Sequence, residues 1–276
     1  MQGVSGSSPL VSTTKGLNGI FHTVISFKLI LKRDEKMFTT NHFIWIAISV
    51  AAIAGLLVYN KLRGISYDTV LNIAAVGSVI SECVKIFSNM VEGYGGGMHL
   101  DPGDLPFHLC SIQIFLIFYL KYFAKEDKTR ERLLGFMIPT MLLGATMALF
   151  IPTVGVKFTN PQVYQYFFFH AMLVFFSIYM IGQKIVHWSV KTLLSNLRYV
   201  GAVVFIATII NSTLYSGHET VNFLYLVRPP MDGLPILNLD NGWYAYIAAL
   251  FTVALTLFGG LHAVLIAVER KFFKNR

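Results

Sequence analysis

Charge is the scarcest property of this 276-residue chain. Asp, Glu, Lys and Arg make up 13% of it, against 55% hydrophobic residues, and mean hydropathy is +0.61. Soluble domains carry roughly 25% charged residues, so an ordinary water-exposed surface is excluded. Cysteine is almost absent. Cys83 and Cys110 are too few for a disulfide framework, and both fall in apolar runs, which speaks against zinc. Strand-like alternation is missing, which excludes a transmembrane β-barrel. No basic stripe with interleaved aromatics lies outside the loops. The net charge of +8 is therefore read as a topology signal, not as a nucleic-acid footprint. No metal or cofactor is expected, and no internal repeat or second domain is seen.

Apolar runs long enough to cross a bilayer, about 20 residues each, fill the chain. They predict seven transmembrane helices at roughly 43–59, 66–92, 105–123, 133–151, 164–187, 198–215 and 243–268. The fold class is all-α: a polytopic membrane helix bundle in the cell membrane, with its N-terminus outside. Gly95 to Gly97, Pro102-Gly103, Pro152, Pro161 and Pro229-Pro230 punctuate the connections. Pro139 and Pro152 are expected to kink or end the fourth helix.

Orientation follows from Lys and Arg. Segments 60–66, 121–132, 184–198 and 269–276 hold 14 of them, whereas 93–104, 152–163 and 216–242 hold 2. The alternation with every helix puts the basic segments in the cytoplasm. The first 36 residues conflict with it, because Lys28, Lys32, Arg33 and Lys36 precede a helix that should start outside. The stretch 17–31 is a poor signal peptide, being short and broken by Lys28. Met37 is read as the true start, residues 1–36 as a mis-assigned extension and 37–276 as a single domain. The rival is an eighth, short or interfacial helix.

Ionisable groups within a span are costly and face a cavity or a partner. Glu82 and Lys85, three apart on the second helix, share a face and are expected to pair. At about 1.5 Å rise per residue, Cys110, His170, Lys85 and Asn211 fall about 8, 9, 10 and 6 Å below the outer helix ends. Asn222 lies just beyond. A thiol, an imidazole, an ammonium and an amide at one level suggest a polar pocket in the outer leaflet. A thiol with an imidazole suits nucleophilic acyl chemistry, with the neighbouring His lowering its pKa or taking its proton. His108 is the other candidate base, but two positions along a helix it points roughly 200° away from Cys110, which favours His170. The plainer alternatives stand beside these. Cys83 reads as a packing residue, Cys110 and His170 could be packing and hydrogen-bonding residues, and the aromatic run 164–169 reads as a lipid-facing or interfacial belt.

Leu105-Pro106-Phe107-His108-Leu109-Cys110-Ser111 resembles the Leu-Pro-x-His-Leu-Cys segment of the YwaF / transmembrane protein 164 family. Glu82 in the preceding helix and the aromatic stretch ending in His170 fit the same pattern. So do Asn211, the run Asn222-Phe223-Leu224-Tyr225-Leu226 with its nearby Pro229, and the pair Trp243-Tyr244. The resemblance spans about residues 40–268. It departs before Pro229-Pro230, where Arg228 alone stands for the family's basic residues. The animal member is a cysteine-centred acyltransferase that moves a fatty acyl chain onto a lyso-ether phospholipid. The resemblance thus implies Cys110 as acyl acceptor and His170 as its partner, with membrane lipids as the molecules acted on. It does not carry the substrate's identity. The expected function is lipid acyl transfer or hydrolysis through an acyl-cysteine. The alternative is a non-enzymatic transporter or small-molecule binder whose intramembrane pocket is lined by Glu82, Lys85, His170 and Asn211.

The charge asymmetry is directly testable. In a chain lacking Cys83 and Cys110, single cysteines at positions 101 and 232 should react with a membrane-impermeant thiol reagent in intact cells. Those at 130 and 191 should stay protected until the cells are opened. The opposite pattern would reverse the orientation.

Overall fold

The computed structural model describes residues 38–91, 100–215, 220–231, 234 and 236–272. Residues 1–36, read above as an extension, lie outside it. Seven α-helices follow in order: α1 Thr40–Arg63, α2 Tyr67–Val91, α3 Leu109–Tyr122, α4 Asp127–Phe150, α5 Pro161–Gly182, α6 Val190–Leu214 and α7 Trp243–Phe272. Short 3-10 turns occupy Pro102–Asp104 and Phe223–Tyr225. Six helices are long and apolar enough to cross a membrane, while α3, at 14 residues, is shorter. Among the described residues there is no strand.

Helix ends follow local chemistry that hydropathy alone does not report. Thr39 and Ser189 cap α1 and α6 by accepting from His42 N and Thr192 N, as short hydroxyl side chains do. Gly64 ends α1 at φ 61°, a left-handed conformation open to glycine. The polar first turns of α4 and α6 lengthen these helices toward the basic loops, so they begin at Asp127 and Val190 rather than at 133 and 198. α3 is shortened instead. Pro106 disfavours helical geometry at Leu105, which sits at φ −59°, ψ 149°. The helix starts at Leu109, four residues later than expected from hydropathy.

The main core lies among α1 to α5. α4 packs on α3, α5, α6 and α7, and α5 packs on α1, α2 and α4. Trp45 stacks between Phe158 and Phe167 with centroids at 4.8 and 5.1 Å. The aromatic run is therefore only partly a belt: Phe167 and Phe169 are buried, while Tyr164 and Phe168 are exposed. Large apolar side chains such as Phe87, Phe205 and Val264 cover the outside, as lipid-facing surfaces require.

α4 ends at Phe150 just before Pro152, but it runs through Pro139 without ending. Proline lacks the N–H that would bond the carbonyl four residues back, here Gly135. Asn196 Nδ2 of α6 donates to that carbonyl at 2.6 Å. The same amide nitrogen lies 3.0 Å from His262 Nε2 of α7, whose Nδ1 donates to Phe258 O at 3.1 Å. One side chain thus ties α4, α6 and α7 in a fully buried position. Asn196→Leu should cost about 1–2 kcal/mol, because it strips a carbonyl and an imidazole of their donor. Thermal unfolding in detergent should shift down by several degrees, and an unchanged midpoint would show the tie to be inert.

Candidate functional site

The candidate residues gather at the end of the bundle opposite the basic loops. α2 carries a polar stripe, Ser78, Ser81, Glu82, Lys85 and Asn89, spaced by three and four so that it follows one face. Lys85 Nζ lies 2.6 Å from Glu82 Oε1, with side chains only 19% and 15% exposed. Glu82 Oε1 has no aligned hydrogen bond, so charge holds the pair rather than directional geometry. α5 meets this stripe: Gln165 Nε2 donates to Ser81 Oγ at 2.7 Å and Gln162 Nε2 to Asn89 Oδ1 at 2.6 Å.

The segment before α3 closes over the stripe. Asp101 Oδ1 accepts from Gly103 N at 2.7 Å and from the Thr220 hydroxyl. A Cβ on Gly103 would lie 2.9 Å from the Thr220 carbonyl, so glycine is needed for this close approach. Burial pushes the Asp104 carboxyl up, with the Asn89 side chain and the Lys85 charge drawing it back. His108 is the residue just before α3 and offers no side-chain cap to it. Its ring packs on Phe223 and Tyr225 at 5.3 and 5.5 Å, within electrostatic range of Lys85.

Cys110 occupies the second position of α3 rather than a point five residues inside it. Its sulfur faces α4 at Gly144, where a Cβ would approach Sγ to 3.2 Å. Tyr166 of α5 lies within electrostatic range of both Cys110 and Tyr225. The Tyr166 hydroxyl donates to Ala148 O at 3.1 Å. Its ring stands 4.3 Å from the imidazole of His170, and its carbonyl accepts from His170 Nδ1 at 2.7 Å. That bond requires a proton on Nδ1, which leaves Nε2 as the position open to accept one. α3 and α5, which carry Cys110 and His170, each pack against both α2 and α4.

Asn211 and Asn222 stand one layer away and brace the chain between α6 and α7. Asn211 donates to Phe223 O at 2.9 Å and accepts from Phe223 N at 2.8 Å. Asn222 donates to Arg228 O and accepts from Val227 N and Arg228 N. Cys83 is exposed on α2. The structure thus sets Glu82 against Lys85, His108 against Phe223 and Tyr225 and Tyr166 against His170, while Cys110 packs toward Gly144 of α4. Among the described residues no cluster of His, Cys, Asp and Glu could hold a metal ion.

Sequence reasoning passed over Tyr166, Tyr225, Asp104 and Gln113. Gln113 is fully buried, donates to Thr140 Oγ1 at 3.1 Å, and keeps Oε1 without a partner. The signal was present in the three- and four-residue spacing of polar groups along otherwise apolar helices, Cys110 with Gln113 and Gln162 with Tyr166.

The short non-helical approach to Cys110, with histidine at the helix boundary, is the local form of the His-Leu-Cys motif. The chain belongs to the TMEM164 family. The match covers residues 37–262, which includes every site residue named above, and it makes the chain an integral membrane protein. No curated protein and no solved structure matches it.

The ion pair on α2 gives a clear expectation within this family site. Glu82→Leu leaves the Lys85 ammonium unpaired in a largely buried position, a change worth about 3–5 kcal/mol when burial is complete and less here. Folded yield by size-exclusion chromatography should fall several-fold. The Glu82→Leu, Lys85→Met double variant should recover much of it. Full yield of the single variant would show that the pair has no structural role.

Proposed function

We propose that the chain is a seven-span protein of the cell membrane, N-terminus outside, that transfers or hydrolyses lipid acyl groups through an acyl-Cys110 intermediate in the outer leaflet. The observation that carries this reading is the thiol in the first turn of a helix without a side-chain cap, on a helix that shares the neighbours α2 and α4 with the one bearing His170. The first N–H groups of an α-helix have no intrahelical partner. They favour negative charge developing on a sulfur placed there. His170 Nε2 takes the thiol proton. The sulfur attacks the carbonyl carbon of a lipid ester, and the negative charge on the carbonyl oxygen is met by the free amides of α3. The tetrahedral species collapses to a thioester, and the lipid alkoxide leaves with the proton from His170. A lyso-lipid hydroxyl or water then attacks the thioester, returning a proton to the thiolate. His108, the second imidazole at this end, is the alternative base. Ester carbonyls of phospholipids lie at this level, so the donor need not leave the membrane.

The test is the mass of the purified protein after incubation in phosphatidylcholine vesicles. One added acyl chain, released by neutral hydroxylamine and mapped to Cys110, is expected. Cys110→Ser should abolish it, and His170→Gln should slow it by about 10²–10⁴. Cys83→Ala should leave it intact. An unmodified Cys110 under these conditions would discard the acyl-enzyme and leave the binder or transporter reading in front.

A further inference from the structure

α6 and α7 both pack on α4, yet they diverge from each other toward the end that bears the site. Between them lies a cleft of about 350 Å³. Thr208, Ser212 and Tyr215 form one wall, Trp243, Ile247 and Phe251 the other, and Leu226 the floor. Seven residues separate Thr208 from Tyr215 and eight separate Trp243 from Phe251. The cleft therefore follows both helices for about 10–12 Å, roughly a third of a hydrocarbon core of about 30 Å.

Three of its polar side chains are already engaged. Asn211 in the wall bonds both ways to Phe223, Thr208 Oγ1 donates to Val204 O at 2.8 Å, and Trp243 Nε1 donates to Leu226 O at 3.1 Å. The surface left to an occupant is apolar, with Tyr215 and Trp243 at its mouth, where aromatic side chains sit at the membrane interface. The floor is continuous with the site: Leu226 belongs to one apolar cluster with Phe223, Phe107 and Leu105. The Phe223 ring stands edge-on to Phe107 at 5.4 Å and packs on His108.

We propose that this cleft is a binding groove for one fatty-acyl chain of a bilayer phospholipid, which enters sideways between α6 and α7 with its polar end at Tyr215 and Trp243. An alkyl chain matches the largely apolar lining and the aromatic residues at the helix ends. One layer of side chains, Phe223 and Leu226, separates the bound chain from His108. The proposal takes its purpose from the acyl-transfer reading, but not its evidence.

The experiment uses the full chain in phosphatidylcholine nanodiscs containing a phosphatidylcholine with a diazirine in one acyl chain, with cross-links mapped by peptide mass spectrometry. Labelling per residue over 208–215 and 243–251 should exceed that on the lipid-facing surface around Ile73 and Phe87 at least several-fold. Ser212→Trp, and separately Thr208→Phe, should reduce groove labelling to that background while labelling near Ile73 is unchanged. Either variant suffices if the other does not fold. Equal labelling of groove and outer surface in the unmodified protein overturns the proposal. Cys110→Ala should keep the groove labelling. Labelling that persists when Cys110 is never acylated retains the groove and discards the acyl-enzyme, whereas acylation without enriched labelling does the reverse.

Discussion

A backbone carbonyl inside a bilayer must find a donor within the protein, because lipid offers none. Pro139 creates that demand in the middle of α4, and the arrangement of the last two helices answers it. The carbonyl freed at Gly135 accepts from Asn196, and Asn196 is held in turn against His262. α6 and α7 share little else with the main core, since their surfaces are mostly exposed to lipid. Beside this tie, Glu131 of α4 and Glu269 of α7 both accept from the turn before α6, and Phe136 of α4 packs on Tyr199 of α6. The tie sits toward the basic end, so the two helices can part toward the opposite end, where the apolar cleft opens.

The same rule governs the chain between α6 and α7. Leu224 and Tyr225 adopt left-handed backbone at φ 56° and 58°, a conformation that costs about 1–3 kcal/mol each outside glycine. Around them the backbone is heavily bonded: Asn211 and Asn222 accept or donate at Phe223, Val227 and Arg228, and the Tyr246 hydroxyl donates to Tyr225 O. These bonds offset the strain and hold Phe223 and Tyr225 against His108. Two asparagines that read from sequence as pocket-lining groups thus position the aromatic wall of the site.

The long helices were legible because long apolar runs report membrane crossing directly. The spacing of Glu82 and Lys85 also gave their ion pair, since three residues along a helix leave two long side chains within reach. Cap chemistry was less visible: Asp127 and Val190 begin helices in polar sequence that hydropathy reads as loop. Long-range partners were not legible at all. Nothing local in Asn196 says that a proline 57 positions earlier needs its amide, and nothing in Tyr166 says that its hydroxyl will reach Ala148 O on α4. Such roles arise only when helices distant in sequence are brought together.

Pro106 links the shortness of α3 to its chemistry. A 14-residue helix rises about 21 Å, less than a bilayer core of about 30 Å. It is preceded by residues 100–108, whose backbone is non-helical apart from one 3-10 turn. Such backbone is tolerated at membrane depth only where protein surrounds it, and here α2, Thr220 and Phe223 do so. Had the helix continued to Leu105, the amides of Leu109, Cys110 and Ser111 would be bonded within it, and Cys110 would be one apolar neighbour among many. Ending it at Leu109 leaves those amides without helical partners beside the Cys110 sulfur, with His108 at the helix boundary. The proline that shortens the span is therefore also what gives Cys110 an environment different from that of Cys83.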